Sequence, residues 1–114
     1  YSDEYTKIIE EVSMYIYEMN LDYTKLKIKK VGHLYAIWVI SYIGKKKNIE
    51  VKQMSSMLND FYEKYLENKE YSEYTKAYKN SMSAGTKGRS SRLKRVRALM
   101  NHGKSFGMDL GADL

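Results

Sequence analysis

Residues 31–43 read VGHLYAIWVISYI and form the densest apolar stretch of the chain. A membrane-spanning helix needs about 20 apolar residues, so this stretch is too short to cross a bilayer. A helix that is apolar on nearly every side is typical of the middle of a bundle, and we expect Trp38 to lie in the core. Gly44 is predicted to end this helix. The β-branched residues of the stretch leave a strand as the alternative.

The residues on either side of this stretch keep the spacing of amphipathic helices. Four further helices are predicted, at about residues 5–19, 49–66, 71–82 and 90–101. The chain contains no Pro and only seven Gly, so little in it would interrupt a helix. The sequence therefore predicts an all-α fold.

The helices are predicted to pack as one domain. Residues 1–103 are expected to form a single compact bundle of about five helices, because 114 residues fit one domain. Gly103 is expected to end the last helix. The apolar residues of 104–114 lack a sustained helical spacing, and a flexible tail is predicted there. The first residue is Tyr1 and not Met, so we expect a fragment of a longer protein.

The composition is that of a folded chain, with 43% hydrophobic and 30% charged residues. The chain contains no Cys, which excludes disulfides, zinc–thiolate sites and thiol nucleophiles. Its polar and acidic first residues differ from the basic start of a signal peptide. We therefore expect a cytoplasmic protein that does not enter a membrane.

Charge is segregated along the chain, although the net charge is only +6. Residues 83–103 contain six basic residues and no acidic one. The six are Lys87, Arg89, Arg92, Lys94, Arg95 and Arg97. A Gly-containing loop that leads into an arginine-rich helix suits phosphate, because backbone N–H and guanidinium groups converge there. We predict that this segment contacts nucleic acid, with DNA as the expected partner.

Two alternatives remain open for these charges. The six side chains can instead form a solvated outer face, or they can pair with the acidic first helix. A second basic group, at residues 25–30 and 45–47, flanks the apolar helix and is interpreted as its solvated ends.

Tyrosine is unusually frequent, with twelve residues. Tyr71, Tyr74 and Tyr78 form a stripe that is too narrow for ordinary core burial. We predict that these three side chains lie at least partly exposed and contact another domain or a second copy of the chain. The alternative is that the tyrosines line the rim of the bundle, with their rings inside and their hydroxyls in water.

Catalytic signatures are missing from the sequence. His33 and His102 lie far apart, neither belongs to an HxxxH or HExxH motif, and His33 is interpreted as a packed histidine. Asp60 shares a helical face with Glu63 and is placed to pair with Lys64 one turn later. We therefore predict no enzymatic activity, no metal site and no cofactor.

Three segments of the sequence resemble one bacterial family. They are HLYAIW at residues 33–38, YKNSMSAGT at residues 78–86 and RSSRLKRVR at residues 89–97. Over residues 31–103 the chain is similar to the helical C-terminal region of the ParB-like, GmrSD-like restriction proteins, which couple a ParB-like nucleotide-hydrolysing or nuclease domain to a helical region. The resemblance implies a helical domain beside the catalytic domain of the same parent protein, with DNA as the substrate. The ParB-like motif has no counterpart in this chain, so no catalytic residue is implied.

The expected function is therefore that of a non-catalytic accessory domain that contacts nucleic acid through its basic last helix. The alternative is a structural bundle that mediates contacts between domains or between copies of the chain.

Overall fold

The computed structural model of the chain describes residues 2–67, 72–83 and 88–111. Within these ranges the chain forms five α-helices and no strand, which confirms the predicted all-α bundle. The helices are α1 (Ser2–Met19), α2 (Val31–Lys46), α3 (Val51–Glu67), α4 (Glu73–Ser83) and α5 (Arg89–Lys104). The strand considered for residues 31–43 is not formed, because these residues lie in α2.

The core lies where α3 and α5 meet the other helices. α5 packs against α4, α2 and α3, while α1 packs against α2 and α3. Met54, Met57, Phe61 and Leu99 are fully buried at this centre. Each such side chain contributes about 1.5–3 kcal/mol by leaving water, so these contacts fix how the helices are arranged.

α2 packs through Ile37, Ile40 and several small residues, and not through its largest residue. Ala36 and Ser41 are fully buried. Trp38 is only half-buried and stacks on Tyr42, with ring centroids 6.0 Å apart. The expectation that Trp38 lies in the core is therefore wrong. The side of α2 that faces the core carries Ile37 and Ile40 with these small residues, and the indole ring lies outside it, at the rim of the bundle.

Gly44 was expected to end α2, and this prediction is wrong. Gly44 is buried inside the helix, and a Cβ atom there would clash with the Met54 side chain and lie 3.1 Å from the Tyr15 hydroxyl. The left-handed backbone that follows α2 is found at Asn48, where φ is 60°. Gly44 is thus a packing residue that lets α1 and α3 approach α2.

The chain leaves α5 after Lys104 and turns at Gly107, where φ is 76°. Gly103, predicted to end α5, lies inside it, where a Cβ would be 2.9 Å from Leu110 Cδ1. Leu110 and Met108 pack back onto the core, each with 2% exposure. The tail predicted to be flexible from residue 104 therefore supplies two core side chains. Its residues 112–114 lie outside the described residues.

Candidate nucleic-acid interface

The basic residues of α5 separate into two groups on opposite sides of the helix. Val96 and Leu99 are buried and anchor α5 on the core. Because the helix repeats every 3.6 residues, Arg92 and Arg95 fall on the side of this buried face, and most of the other basic positions fall on the opposite side. One group is exposed to solvent, and the other lies beside α2.

The exposed group consists of Arg89, Lys94 and Arg97, which we call the basic ridge. These side chains border a shallow groove that also contains Leu93. Within residues 2–67, 72–83 and 88–111, none of the three forms an ion pair. Lys87, which was predicted to belong to the same surface, lies outside the described residues. The ridge therefore presents three positive charges on one face of α5.

The acidic residues of α1 do not neutralise this ridge. α1 packs against α2 and α3. In the described part of the chain, no ion pair joins α1 to Arg89, Lys94 or Arg97. The alternative in which the basic last helix pairs with the acidic first helix is therefore not found for these three residues.

Arg95 does not belong to the ridge. It is 1% exposed, and its Nη1 donates hydrogen bonds to the Ser81 carbonyl oxygen at 3.1 Å and to Met82 Sδ at 3.3 Å. The prediction that Arg95 contributes to an exposed phosphate-binding surface is wrong, because it lies on the buried side of α5, next to α2 and α4. Arg92 is half-buried on the same side, with its Cζ 5.2 Å from the centroid of the Tyr35 ring.

A cavity of about 650 Å³ lies between the N-terminus of α2 and α5. We call it the cationic cavity, because half of the described lining residues are cationic: Lys29, Lys30, Arg92 and Arg95, with Val31, Gly32, Tyr35 and Met82. Among the described residues that line it, none is Asp or Glu. Lys30 precedes α2 in extended conformation and provides no side-chain cap for that helix. The cavity thus brings four cationic side chains to one helix N-terminus.

The sequence pattern does not single out Lys29 and Lys30 as site residues, because lysines at the end of an apolar helix are common. One local signal is nevertheless present. Cations are unfavourable at the positive N-terminal end of a helix, and α2 has no acidic residue in its first turn to offset them.

The tyrosine stripe on α4 is mostly turned toward the interior. Tyr78 is fully buried, so the prediction that its side chain is partly exposed at an interface is wrong. Tyr74 is half-buried and packs against the core. Tyr71 lies outside the described residues. Tyr78 is drawn inward because its hydroxyl has buried partners on two other helices.

These partners are His33 on α2 and Tyr62 on α3. A hydrogen bond of 2.7 Å joins His33 Nδ1 to the Tyr78 hydroxyl, and one of 2.8 Å joins that hydroxyl to the Tyr62 hydroxyl. The His33 and Tyr78 rings are stacked, with centroids 5.5 Å apart. The network confirms His33 as a packed histidine and meets the need of three buried polar groups for partners. It was not predictable locally, because the partners lie 45 and 16 residues apart.

The electrostatics of this network favour uncharged side chains. Burial, together with the charges of Lys30 and Arg95, lowers the pKa of His33 to about 4. Burial also raises the pKa of the Tyr62 and Tyr78 hydroxyls well above their usual range. At neutral pH the network is therefore neutral, and it serves to join α2, α3 and α4.

A second polar contact joins α3 to α5. His102 Nε2 donates a hydrogen bond of 2.9 Å to Asp60 Oδ2, and Lys64 Nζ lies 3.0 Å from the same oxygen. The predicted pair of Asp60 and Lys64 is thus confirmed. Burial acts to raise the pKa of Asp60, but the hydrogen bonds from Lys64 and His102 outweigh it and hold that pKa below its usual value. This cluster fastens the end of α5 to the core.

Comparisons with known proteins do not assign this chain to a family. No protein-family model, curated protein or solved structure matches this chain. Among the described residues, no group of three or more His, Asp or Glu side chains is arranged to hold a metal ion. In the same part of the chain, every helix is too short or too polar to traverse a bilayer. Function must therefore be inferred from the residues and their placement.

Proposed function

We propose that this chain is a non-catalytic helical domain that binds nucleic acid through the basic ridge. The observation that carries the proposal is the exposure of Arg89, Lys94 and Arg97 on one face of α5, with no ion pair among the described residues. α5 also has no acidic residue in its first turn. The positive face is therefore available to a polyanion.

Phosphate is the chemistry that this face suits best. Two of the three ridge residues are arginines, whose planar guanidinium groups form paired hydrogen bonds with phosphate oxygens. Three phosphate contacts would lower affinity about 40-fold between 50 mM and 200 mM salt. Phosphate contacts carry no sequence information, so binding through them would be largely independent of sequence.

The resemblance to the GmrSD-like restriction proteins supports DNA as the partner. In that setting the domain would act in the cytoplasm beside the catalytic domain of the same parent protein. Its contribution would be to hold DNA near that domain, while the chemistry is performed elsewhere.

The test is a fluorescence anisotropy titration of a labelled 20-base-pair duplex at about 50 mM and 200 mM salt. The ridge variant replaces Arg89, Lys94 and Arg97 with Gln. The control variant makes the same change of charge at the exposed residues Lys45, Lys47 and Lys52. We expect the ridge variant to lose affinity and most of its salt dependence, and the control variant to retain both.

Two results would contradict the proposal. The first is a wild-type chain that does not retain the duplex even at the lower salt concentration. The second is an equal loss of affinity in the ridge and control variants, which would show that only the net charge matters.

A protein-contact role is the alternative, and α1 favours it. Toward its N-terminus α1 exposes Ile8 at 41% and Ile9 at 46%, on the apolar stripe whose later members Val12 and Tyr15 are buried. Exposed apolar side chains on one helix are typical of a contact surface. If α1 pairs with a second copy of the chain, light scattering will show a mass that rises with concentration, and an Ile8→Ser, Ile9→Ser variant will remain monomeric.

A further inference from the structure

The cationic cavity concentrates positive charge in one small space, with no acidic residue among the described residues that line it. Lys29 and Lys30 stand at the N-terminus of α2, whose backbone dipole is also positive there. Arg92 and Arg95 approach the same space from α5. Like charges placed together weaken a fold unless an opposite charge joins them. The arrangement is therefore better suited to an anion-bound state than to an empty one.

The effect of this charge is seen on a neighbouring side chain. After burial, the charges of Lys30 and Arg95 are the next causes that lower the pKa of His33. His33 follows Gly32 in the first turn of α2, directly behind the cavity. The positive field therefore extends from the cavity into the core.

The cavity is shaped by the surrounding packing. Arg95 is 1% exposed and is held by the Ser81 carbonyl oxygen and Met82 Sδ. Gly32 leaves space beside it, because a Cβ there would lie 3.4 Å from Arg95 Cζ and 3.2 Å from Met82 Sδ. The guanidinium of Arg95 is thus positioned before any ligand arrives, which lowers the entropic cost of binding.

Arg92 provides the second guanidinium. Its Cζ lies 5.2 Å from the centroid of the Tyr35 ring, and its buried Nε has no hydrogen-bond partner among the described residues. A buried polar atom of this kind is unusual, and an anion in the cavity would accept a hydrogen bond from it. Tyr35 also gives one wall of the cavity an aromatic surface.

We propose that the cationic cavity binds the phosphate group of a nucleotide. Arg92, Arg95 and Lys30 contact the phosphate oxygens beside the first backbone N–H groups of α2. The base lies toward Tyr35, where an aromatic ring and a stacked guanidinium suit a planar ligand. The phosphate belongs either to a free nucleotide or to the 5′ end of a nucleic-acid strand, since both present the same group.

This site is separate from the basic ridge. The ridge residues lie on the exposed side of α5, whereas Arg92 and Arg95 lie beside α2. The inference therefore goes beyond the proposed function and does not require it. Duplex binding without a terminal phosphate tests the ridge, and binding of small phosphates tests the cavity.

The test is isothermal titration calorimetry of the full chain at low salt with five probes. They are inorganic phosphate, adenosine, adenosine 5′-monophosphate, and a single-stranded oligonucleotide with and without a 5′-phosphate. We expect adenosine 5′-monophosphate to bind, inorganic phosphate to bind more weakly and adenosine not to bind. The two strands are compared with each other, because the ridge can contact either one and only the 5′-phosphate tests the cavity. If the free nucleotide binds, the phosphate in the cavity can come from a free nucleotide. If the free nucleotide does not bind but the 5′-phosphate strengthens binding of the strand, the phosphate comes from the end of a strand.

Variants locate the binding. Arg92→Gln and Lys30→Gln should each weaken phosphate binding about tenfold, as expected for the loss of one charge-assisted contact. Arg89→Gln and Lys94→Gln on the ridge are the matched controls and should leave this binding unchanged. Lys30 is exposed, so its variant is informative even if Arg92→Gln does not fold. The inference is overturned if no phosphate probe binds, if adenosine binds as well as its monophosphate, or if the ridge variants lose binding equally.

Discussion

Acid should destabilise this fold through His33. The imidazole is 5% exposed and is held in the buried network with Tyr78 and Tyr62. Burial, together with Lys30 and Arg95, lowers its pKa from 6.5 to about 4. The unfolded chain therefore binds this proton at a higher pH than the folded chain does.

The sign and size of the effect follow from this difference. Between pH 6.5 and 4 the unfolded state binds more protons, so the free energy of unfolding decreases as the pH falls. The full contribution of His33 is present above pH 6.5. Each pKa unit corresponds to about 1.4 kcal/mol, which gives a loss of about 2 kcal/mol between pH 7 and pH 5. Asp60 does not interfere, because its pKa is lowered from a value of 3.8 and it titrates below this range.

The measurement is a series of urea denaturation curves between pH 7 and pH 5. A His33→Gln variant removes the titrating group and keeps a neutral polar side chain at the position. We expect the wild type to lose about 2 kcal/mol over this range and the variant to lose correspondingly less. The other ionisable groups are common to both proteins, so their contributions cancel in the comparison. A nuclear magnetic resonance titration of the His33 ring should give a midpoint near pH 4.

Two outcomes would refute this reasoning. One is a His33 ring that titrates near 6.5, its ordinary value. The other is a His33→Gln variant with the same pH dependence as the wild type. Either result would mean that the imidazole is solvated and that its hydrogen bond to Tyr78 does not hold it in the neutral form.

Two further predictions concern packing. Gly44→Ala should destabilise the fold by about 1–3 kcal/mol, because the new Cβ meets the Met54 side chain and the Tyr15 hydroxyl. Alanine normally stabilises a helix relative to glycine, so a neutral or stabilising result in urea denaturation would contradict this close packing. Leu110→Ala should cost about 2–5 kcal/mol in the same measurement, because that side chain is 2% exposed. Phe106→Ala, at a residue that is 36% exposed, is the control and should cost much less than Leu110→Ala if the tail belongs to the core.

The helices were predictable because their signal is local. The apolar spacing over residues 5–19 and 49–66 predicts α1 and α3, and the observed ends differ from it by at most three residues. The pair of Asp60 and Lys64 was predictable for the same reason, since it joins residues one turn apart.

The sequence-based predictions were wrong where the position of a side chain depends on a residue that is distant in sequence. Gly44 fits a helix end as well as a close contact, and only the position of Met54 decides between them. Trp38 is the largest apolar residue of α2, but the approach of other helices leaves it at the rim. Tyr78 is buried because His33 and Tyr62 meet its hydroxyl. None of these contacts is encoded in a short window of sequence.

The candidate site could be predicted from the sequence only in part. The segment 83–103 is basic from its composition alone, but composition does not divide its cations between two sides of a helix. The division follows from helical geometry, since Arg95 lies one turn before the buried Leu99 and therefore shares its side. A helical wheel of α5 places Arg95 on the buried side of the helix. Which residues surround it can be known only from the fold.

The cavity and the buried network are physically connected. Lys30 and Arg95 are proposed to hold a phosphate, and the same two charges help to lower the pKa of His33. An anion between them would offset their field and so raise that pKa. By thermodynamic reciprocity, protonation of His33 would then strengthen anion binding by the same free energy. The positive charges of Lys30 and Arg95 thus couple anion binding in the cavity to the His33 network, which joins α2, α3 and α4.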